Sequence, residues 1–412
     1  MQELRTFVIV GAGLAGAKAA EALRAEGFEG RVVLIGEEPV RPYERPPLSK
    51  EYLRGEKGFD DTAVHPAAFY DDQGIELRTA TRVARLVLDR RAVVTEDDEE
   101  VVFDGLLLAT GSAPRRLPVP GAELSGVHYL RTAADADALR RVLSPGVRVV
   151  VVGAGWIGCE VAASARQLGA EVTLIERTET PLEAVLGASV GAVFSELHAE
   201  HGVDLRFGTG VEAITGAGAV AQVRLGDGAT LDADLVVVGV GATPRTGLAE
   251  AAGLRVADGV LVDRFLATEA PGIYAAGDIA RVAVADTGDS VRVEHWAAAL
   301  AQGPVAAANM LGNRRAYDEV PLFFSDQYDF AMEYRGIGRP DDEVVFRGDP
   351  GSRTFLAFWL RDGIPVAAMN ANVWDAGDAL EALLRAGARV ERRALADPDV
   401  ELASLTPEAG SS

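Results

Sequence analysis

Two strings in this chain share one spacing. Gly11-Ala12-Gly13-Leu14-Ala15-Gly16 and Gly153-Ala154-Gly155-Trp156-Ile157-Gly158 both read Gly-x-Gly-x-x-Gly. In that pattern the first glycine permits a tight turn, the second lets the backbone approach a pyrophosphate, and the third lets the next helix pack close to the preceding strand. The N–H groups and partial positive charge at the helix start then face the phosphates. An acid follows each string where a ribose would need acceptors: Glu37 after the first and Glu176 after the second. One such string is weak evidence, but two in the same setting are strong evidence for two bound dinucleotides.

The elements that must hold these turns are legible around them. An apolar strand, Phe7 to Val10, leads into the first turn, an Ala-rich helix follows, and a second strand, Val32 to Ile35, ends at Glu37. The second copy runs from a strand at Val149 to Val152, through a helix reaching toward Leu168, to a strand at Val172 to Ile175 that ends at Glu176. Each is a βαβ unit, so the spacing predicts two Rossmann-like domains in an α/β chain. Two further glycine turns close strands: Leu106-Leu107-Leu108-Ala109-Thr110-Gly111, and Gly272 through Gly277-Asp278. Glu160 lies two residues past the last glycine of the second string, on the first helical turn.

Composition bounds the chemistry. The single cysteine, Cys159, excludes a Cys-x-x-Cys pair and any cysteine-rich cluster within one chain, so redox work must ride on a bound cofactor. A formal net charge of -22 argues against nucleic acid and anionic membranes as general partners. No apolar run is long enough to span a bilayer, and the N-terminus lacks the regions of a signal peptide, which predicts a cytoplasmic protein. His198 and His201 share a helix face, but no acid cluster accompanies them, so no metal site is expected. Only three lysines, Lys18, Lys50 and Lys57, occur among 40 basic residues, which makes Lys50 in Arg45-Pro46-Pro47-Leu48-Ser49-Lys50 conspicuous.

With these motifs in hand, the sequence resembles the FAD-dependent pyridine-nucleotide reductases, the disulfide oxidoreductase superfamily, in a branch without redox cysteines. The Arg-Pro-Pro-Leu-Ser-Lys string, Glu294-His295-Trp296, and Phe324-Ser325-Asp326-Gln327-Tyr328-Asp329 are similar to the ferredoxin reductases that serve monooxygenase and dioxygenase systems. The resemblance implies FAD at Gly11, Gly13, Leu14, Ala15, Gly16, Glu37, Arg45, Lys50, Ala109, Thr110, Gly111, Gly277, Asp278, Glu294, His295 and Trp296. It implies NADH at Gly153, Gly155, Trp156, Ile157, Gly158, Glu160, Glu176 and Gly241. In similar reductases a lysine at the position of Lys50 lies beside flavin N5 and pairs with a glutamate at the position of Glu160, which makes these two the implied catalytic pair. Trp156 would cover the flavin until nicotinamide displaces it, or serve as a packing residue. Glu176 suits the two ribose hydroxyls of NADH and would repel a 2′-phosphate, although Arg177 beside it could accept one.

The implied organisation is a FAD-binding domain over 1–114 and 245–320, a NAD-binding domain over 115–244, and a C-terminal α+β domain over 321–412. In the last, runs such as Thr354 to Trp359 and Val366 to Asn370 predict an antiparallel sheet, a helix follows from about Ala376 to Ala386, and a mobile tail begins after about 397. The expected function is NADH:ferredoxin oxidoreduction, with a ferredoxin feeding a cytochrome P450 or a Rieske oxygenase, by a monomer or weak dimer. Reduction of a small acceptor such as a quinone or oxygen, and a non-enzymatic redox-sensing flavoprotein, are the alternatives. Because ferredoxins are usually acidic, docking calls for a local basic face, with Arg41, Arg45, Arg314, Arg315 and Arg339 as candidates.

Overall fold

The computed structural model describes residues 5–284 and 290–406. The chain divides into two compact units. One comprises residues 1–45, 58–113 and 242–319, and the other 46–57, 114–241 and 320–412.

The first unit is built on a five-stranded parallel sheet. Its order is Ile273–Ala275, Gly105–Leu108, Thr6–Val10, Arg31–Ile35 and Ile75–Arg78, which sets the strand before the first glycine string in the middle. Phe7, Val8, Ile9, Leu34, Leu106 and Leu107 are buried, as expected when helices cover both faces of a parallel sheet. Helix Leu14–Ala25 packs against helix Trp296–Leu311 at very short range. At Gly303 an added Cβ would sit 2.4 Å from the Ala15 carbonyl oxygen, so only glycine allows this approach. A three-stranded antiparallel meander, Val83–Val87, Ala92–Thr95 and Glu100–Val102, completes the pattern, with the acidic run Glu96 to Glu100 at its second turn.

The second unit repeats the plan. Its parallel sheet runs Asp204–Arg206, Glu171–Ile175, Arg148–Val152, Leu235–Val238 and Val127–Tyr129, again with the strand before the glycine string at the centre. It too carries a three-stranded meander, Val211–Thr215, Gln222–Leu225 and Thr230–Asp232. The internal repeat seen in the sequence therefore extends beyond the βαβ core to a whole module.

The C-terminal part of this unit is a five-stranded antiparallel sheet in the order Leu322–Gln327, Phe330–Gly336, Ile364–Ala371, Thr354–Arg361 and Glu343–Asp349. Helix Gly377–Ala386 covers one face through Leu380 and Leu383. The chain after about 397, read from sequence as a mobile tail, behaves differently: a short helical turn at Leu402–Leu405 packs Leu402 and Leu405 against that same apolar cluster. Two leucines three residues apart in a polar stretch supply the burial that composition alone hides. The last residues, 407–412, lie outside the described residues.

Candidate functional site

Both glycine strings form the turn their spacing predicts. Gly11 has φ +119° and Gly153 has φ +97°, values that L side chains rarely adopt. A Cβ on Gly11 would lie 2.0 Å from the Ala109 carbonyl oxygen, and one on Gly153 would lie 2.5 Å from that of Gly239. The third glycines are equally constrained by contact: a Cβ on Gly16 would meet the Gly11 oxygen at 2.0 Å, and on Gly158 the Gly153 oxygen at 1.9 Å. The second glycines are the opposite case. Nothing lies within 4 Å of a Cβ built on Gly13, and at Gly155 only the Gly239 oxygen, at 4.0 Å, comes near. Both are the residues just before a helix, Leu14–Ala25 and Trp156–Gln167, and neither helix start is capped by a side chain. Open backbone at an uncapped helix N-terminus fits a pyrophosphate in each unit.

Each turn has its acid. The Glu176 carboxylate accepts from the backbone N–H of Ala154 at 2.8 Å and of Arg177 at 2.6 Å, which holds it at the glycine string. Glu37 is paired through both oxygens with the Arg245 guanidinium, which lowers its pKa from the usual carboxylate value. Around the first turn, Thr110 donates to the Arg245 carbonyl at 2.9 Å, and Ser112 donates to Asp278 at 2.7 Å. Gly111 and Gly277 both turn with positive φ beside them. Arg45 is held by Glu38 at 2.8 Å and by the Tyr43 hydroxyl at 3.2 Å, while Glu294 is paired with Arg292. His295 caps helix Trp296–Leu311, its Nδ1 accepting from the Ala297 N–H at 3.3 Å. In the second unit, the carbonyl of Gly241 accepts from the Arg115 N–H at 2.9 Å, and Ile157 stands 43% exposed on the first helical turn. Trp156 packs edge-on against Phe323, with ring centroids 3.8 Å apart, and against Phe194 at 6.1 Å.

Lys50 and Glu160 meet. The ammonium lies 3.1 Å from Glu160 Oε1, and both side chains are only 6% exposed. An exposed pair of this kind contributes about 0 to 1 kcal/mol, whereas removing one partner of a buried pair costs about 3 to 5 kcal/mol. At this burial the pair is not a solvated surface salt bridge. Three residues named above only within longer strings surround the carboxylate, two directly and the third through its neighbour. Ser49 donates to Oε2, Ser325 donates to Oε1 at 2.8 Å, and Gln327 donates in turn to the Ser325 oxygen at 3.1 Å. The Gln327 carbonyl oxygen meets His198 Nε2 at 2.9 Å, and the Phe324 ring lies under the Lys50 ammonium at 5.5 Å. Ser164, one turn beyond Glu160 on the same helix, donates to the Ser49 carbonyl at 2.6 Å and so fixes the loop that carries Lys50.

Among the arginines offered for docking, Arg41 is paired with Asp60 at 2.6 Å and Arg45 with Glu38, so neither charge stands alone. Cys159 is fully buried, and burial raises its thiol pKa well above the ordinary value, with the carboxylates of Glu160 and Glu176 adding to the effect. No helix among the described residues is long and apolar enough to cross a membrane.

Two dinucleotide modules with uncapped glycine turns, joined in one chain to a C-terminal antiparallel sheet, define the class. A family model described as pyridine nucleotide-disulphide oxidoreductase matches residues 5–303, and one described as reductase C-terminal matches residues 322–406. The chain belongs to the pyridine nucleotide-disulphide oxidoreductase family. It is 42% identical to the 5,5'-dehydrodivanillate O-demethylase ferredoxin reductase subunit of Sphingobium sp., over 98% of each chain. It is also 42% identical to the ferredoxin–NAD(+) reductase component of the anthranilate 1,2-dioxygenase system of Burkholderia cepacia, covering 96% of this chain and 98% of the relative. Among solved structures, the covalent putidaredoxin reductase–putidaredoxin complex matches with a TM-score of 0.93 at 36% identity, covering 97% of this chain and 98% of that one.

Proposed function

We propose that this protein is a FAD-dependent NADH:ferredoxin oxidoreductase of the cytoplasm, passing electrons to an iron–sulfur ferredoxin that serves a cytochrome P450 or a Rieske oxygenase. The observation that carries the reading is the buried Lys50–Glu160 pair, built beside the second glycine turn in a chain whose single cysteine is buried. When bound, FAD takes two electrons from the nicotinamide and gives them out singly. The chain's own part is to bind, orient and supply charge. The turn at Gly11, Gly13 and Gly16, with Glu37, Ala109 to Gly111 and Asp278, is assigned to FAD, and the turn at Gly153, Gly155 and Gly158, with Glu176, to NADH. Lys50 is the cation assigned to the flavin N5, where negative charge grows as electrons arrive, and Glu160 fixes its ammonium. Glu176, already accepting two backbone N–H groups at the glycine turn, offers oxygens to ribose hydroxyls and repels a 2′-phosphate, which favours NADH over NADPH.

Stopped-flow reduction of the purified flavoprotein tests the pair. Lys50→Met should slow flavin reduction by NADH at least tenfold while the NADH dissociation constant stays within about threefold; an unchanged rate removes Lys50 from the chemistry. Steady-state turnover tests the acceptor. Cytochrome c reduction by NADH that depends on added ferredoxin supports the reading. Ferredoxin-independent oxygen or quinone consumption at the same rate would assign the electrons to a small acceptor, and a long-lived reduced complex without turnover would mark a redox-sensing flavoprotein.

A further inference from the structure

The Lys50–Glu160 pair does not stand by itself. Glu160 is the end point of a buried line of hydrogen bonds that starts in helix Glu183–Glu200 and crosses the edge strand Leu322–Gln327 of the C-terminal sheet. His198, Gln327, Ser325, Ser49 and Glu160 are all at most 5% exposed. Burial pushes the His198 pKa down to about 4, so the ring is neutral at neutral pH. The Glu160 carboxylate oxygen can only accept, so the one Ser325 proton goes to it, Gln327 Nε2 donates to Ser325 Oγ, and the Gln327 carbonyl oxygen faces His198 Nε2 at 2.9 Å, which donates. That choice orients the whole line. The reversed amide would set its oxygen against Ser325 Oγ at 3.1 Å, where one hydroxyl proton cannot serve both it and Glu160. Ser325 has one hydroxyl proton, and with Gln327 already donating to its oxygen, that proton is directed to Glu160 Oε1 at 2.8 Å. Glu160 then receives Ser325 and Ser49 hydroxyls together with the Lys50 ammonium.

We infer that Ser325 and Gln327, oriented by His198, are positioning residues that hold the Glu160 carboxylate in place and through it set where the Lys50 ammonium stands during flavin reduction. The inference rests on the role proposed above for Lys50. It differs from a packing role because a polar line is a poor way to fill a sheet edge: a wholly apolar edge needs no partners, whereas each member of this line must find its own and is left unpaired if a neighbour is removed. Satisfied throughout, the line gives Glu160 one orientation instead of several.

The experiment uses the FAD-loaded protein and NADH. Ser325→Ala and Gln327→Met are each combined with Lys50→Met, and the rate of flavin reduction at saturating NADH, the NADH dissociation constant, the flavin content and the thermal midpoint are measured. The expected result is a three- to tenfold slower reduction in Ser325→Ala, a smaller slowing in Gln327→Met, and NADH binding within twofold of the parent. Neither substitution should slow reduction further in the Lys50→Met background, since both act through that ammonium. Equal slowing with and without Lys50 overturns the inference, as does an unchanged rate in both single variants that retain flavin. If Lys50→Met itself reduces at the parent rate, the reading of Lys50 falls and takes the inference with it, an outcome told apart by that variant alone. Should one of the two substitutions lose flavin, the other carries the same comparison.

Discussion

His198 provides a sharp test of how the second unit is held together, because burial opposes its ionisation. The ring is fully buried, and burial, against the opposing hydrogen bond with Gln327 and with a smaller push from nearby His201, brings its pKa down to about 4. In the unfolded chain the same imidazole titrates near about 6.5. Between these values the unfolded chain carries a proton that the folded chain does not, so stability is complete above pH 6.5 and falls as pH drops toward 4. At about 1.4 kcal/mol per pH unit, the full loss is about 3 kcal/mol, and about 2 kcal/mol of it is already lost at pH 5. Gln in place of His198 removes the titration while leaving an amide able to donate to Gln327. Guanidinium unfolding followed by circular dichroism at pH 7 and pH 5 should then show the parent losing about 2 kcal/mol more than His198→Gln. Equal losses in the two proteins would refute the burial argument and with it the neutral ring.

Three further outcomes follow from the geometry. Gly155→Ala should fold normally, since its Cβ meets nothing closer than the Gly239 oxygen at 4.0 Å, yet raise the NADH Michaelis constant about tenfold, equivalent to about 1.4 kcal/mol, because the methyl stands where a phosphate would approach. A Michaelis constant within twofold of the parent would place the pyrophosphate elsewhere. Glu176→Gln should raise kcat/KM for NADPH relative to NADH about tenfold, measured with both coenzymes at one salt concentration; no change in the ratio would remove Glu176 from coenzyme choice. Cys159 should resist iodoacetamide in the folded protein and react fully in denaturant, as mass spectrometry can read, given its complete burial and raised thiol pKa.

The parts of this molecule that follow from backbone rules were legible in its sequence. The glycine strings, the strands flanking them and the acids at Glu37 and Glu176 are fixed by spacing, and the structure shows both turns with the positive φ and close contacts that spacing implies. The C-terminal antiparallel sheet and its covering helix followed from alternation and helical period. The supports of Glu160 did not. Ser49, Ser325 and Gln327 come from a loop before one helix and a strand far along the chain, and their meeting depends on tertiary packing that no local pattern encodes. The alternation Ser325, Asp326, Gln327 did carry a signal: on a strand it sets the two neutral polar residues on one face and the acid on the other. His198 was weighed only as a metal ligand, because a histidine pair at helical spacing says nothing about a glutamine on another element. Trp156 was read as a flavin cover or a packing residue, and its contacts with Phe323 and Phe194, distant in sequence, are invisible to a local pattern.

The polar face of the strand Leu322–Gln327 also acts as a check on its own assembly. Ser325 and Gln327 are buried, Asp326 between them is exposed, and the strand pairs antiparallel with Phe330–Gly336 from Leu322↔Arg335 to Gln327↔Phe330. A slip of one residue would turn Asp326 inward and both neutral partners outward. An apolar edge strand tolerates such a slip with modest loss, whereas this one would trade three satisfied hydrogen bonds for a buried carboxylate facing Glu160. Misregistered chains are thereby marked as unstable before any cofactor chemistry is asked of them, and correct pairing of the last sheet and completion of the Lys50 environment become a single event.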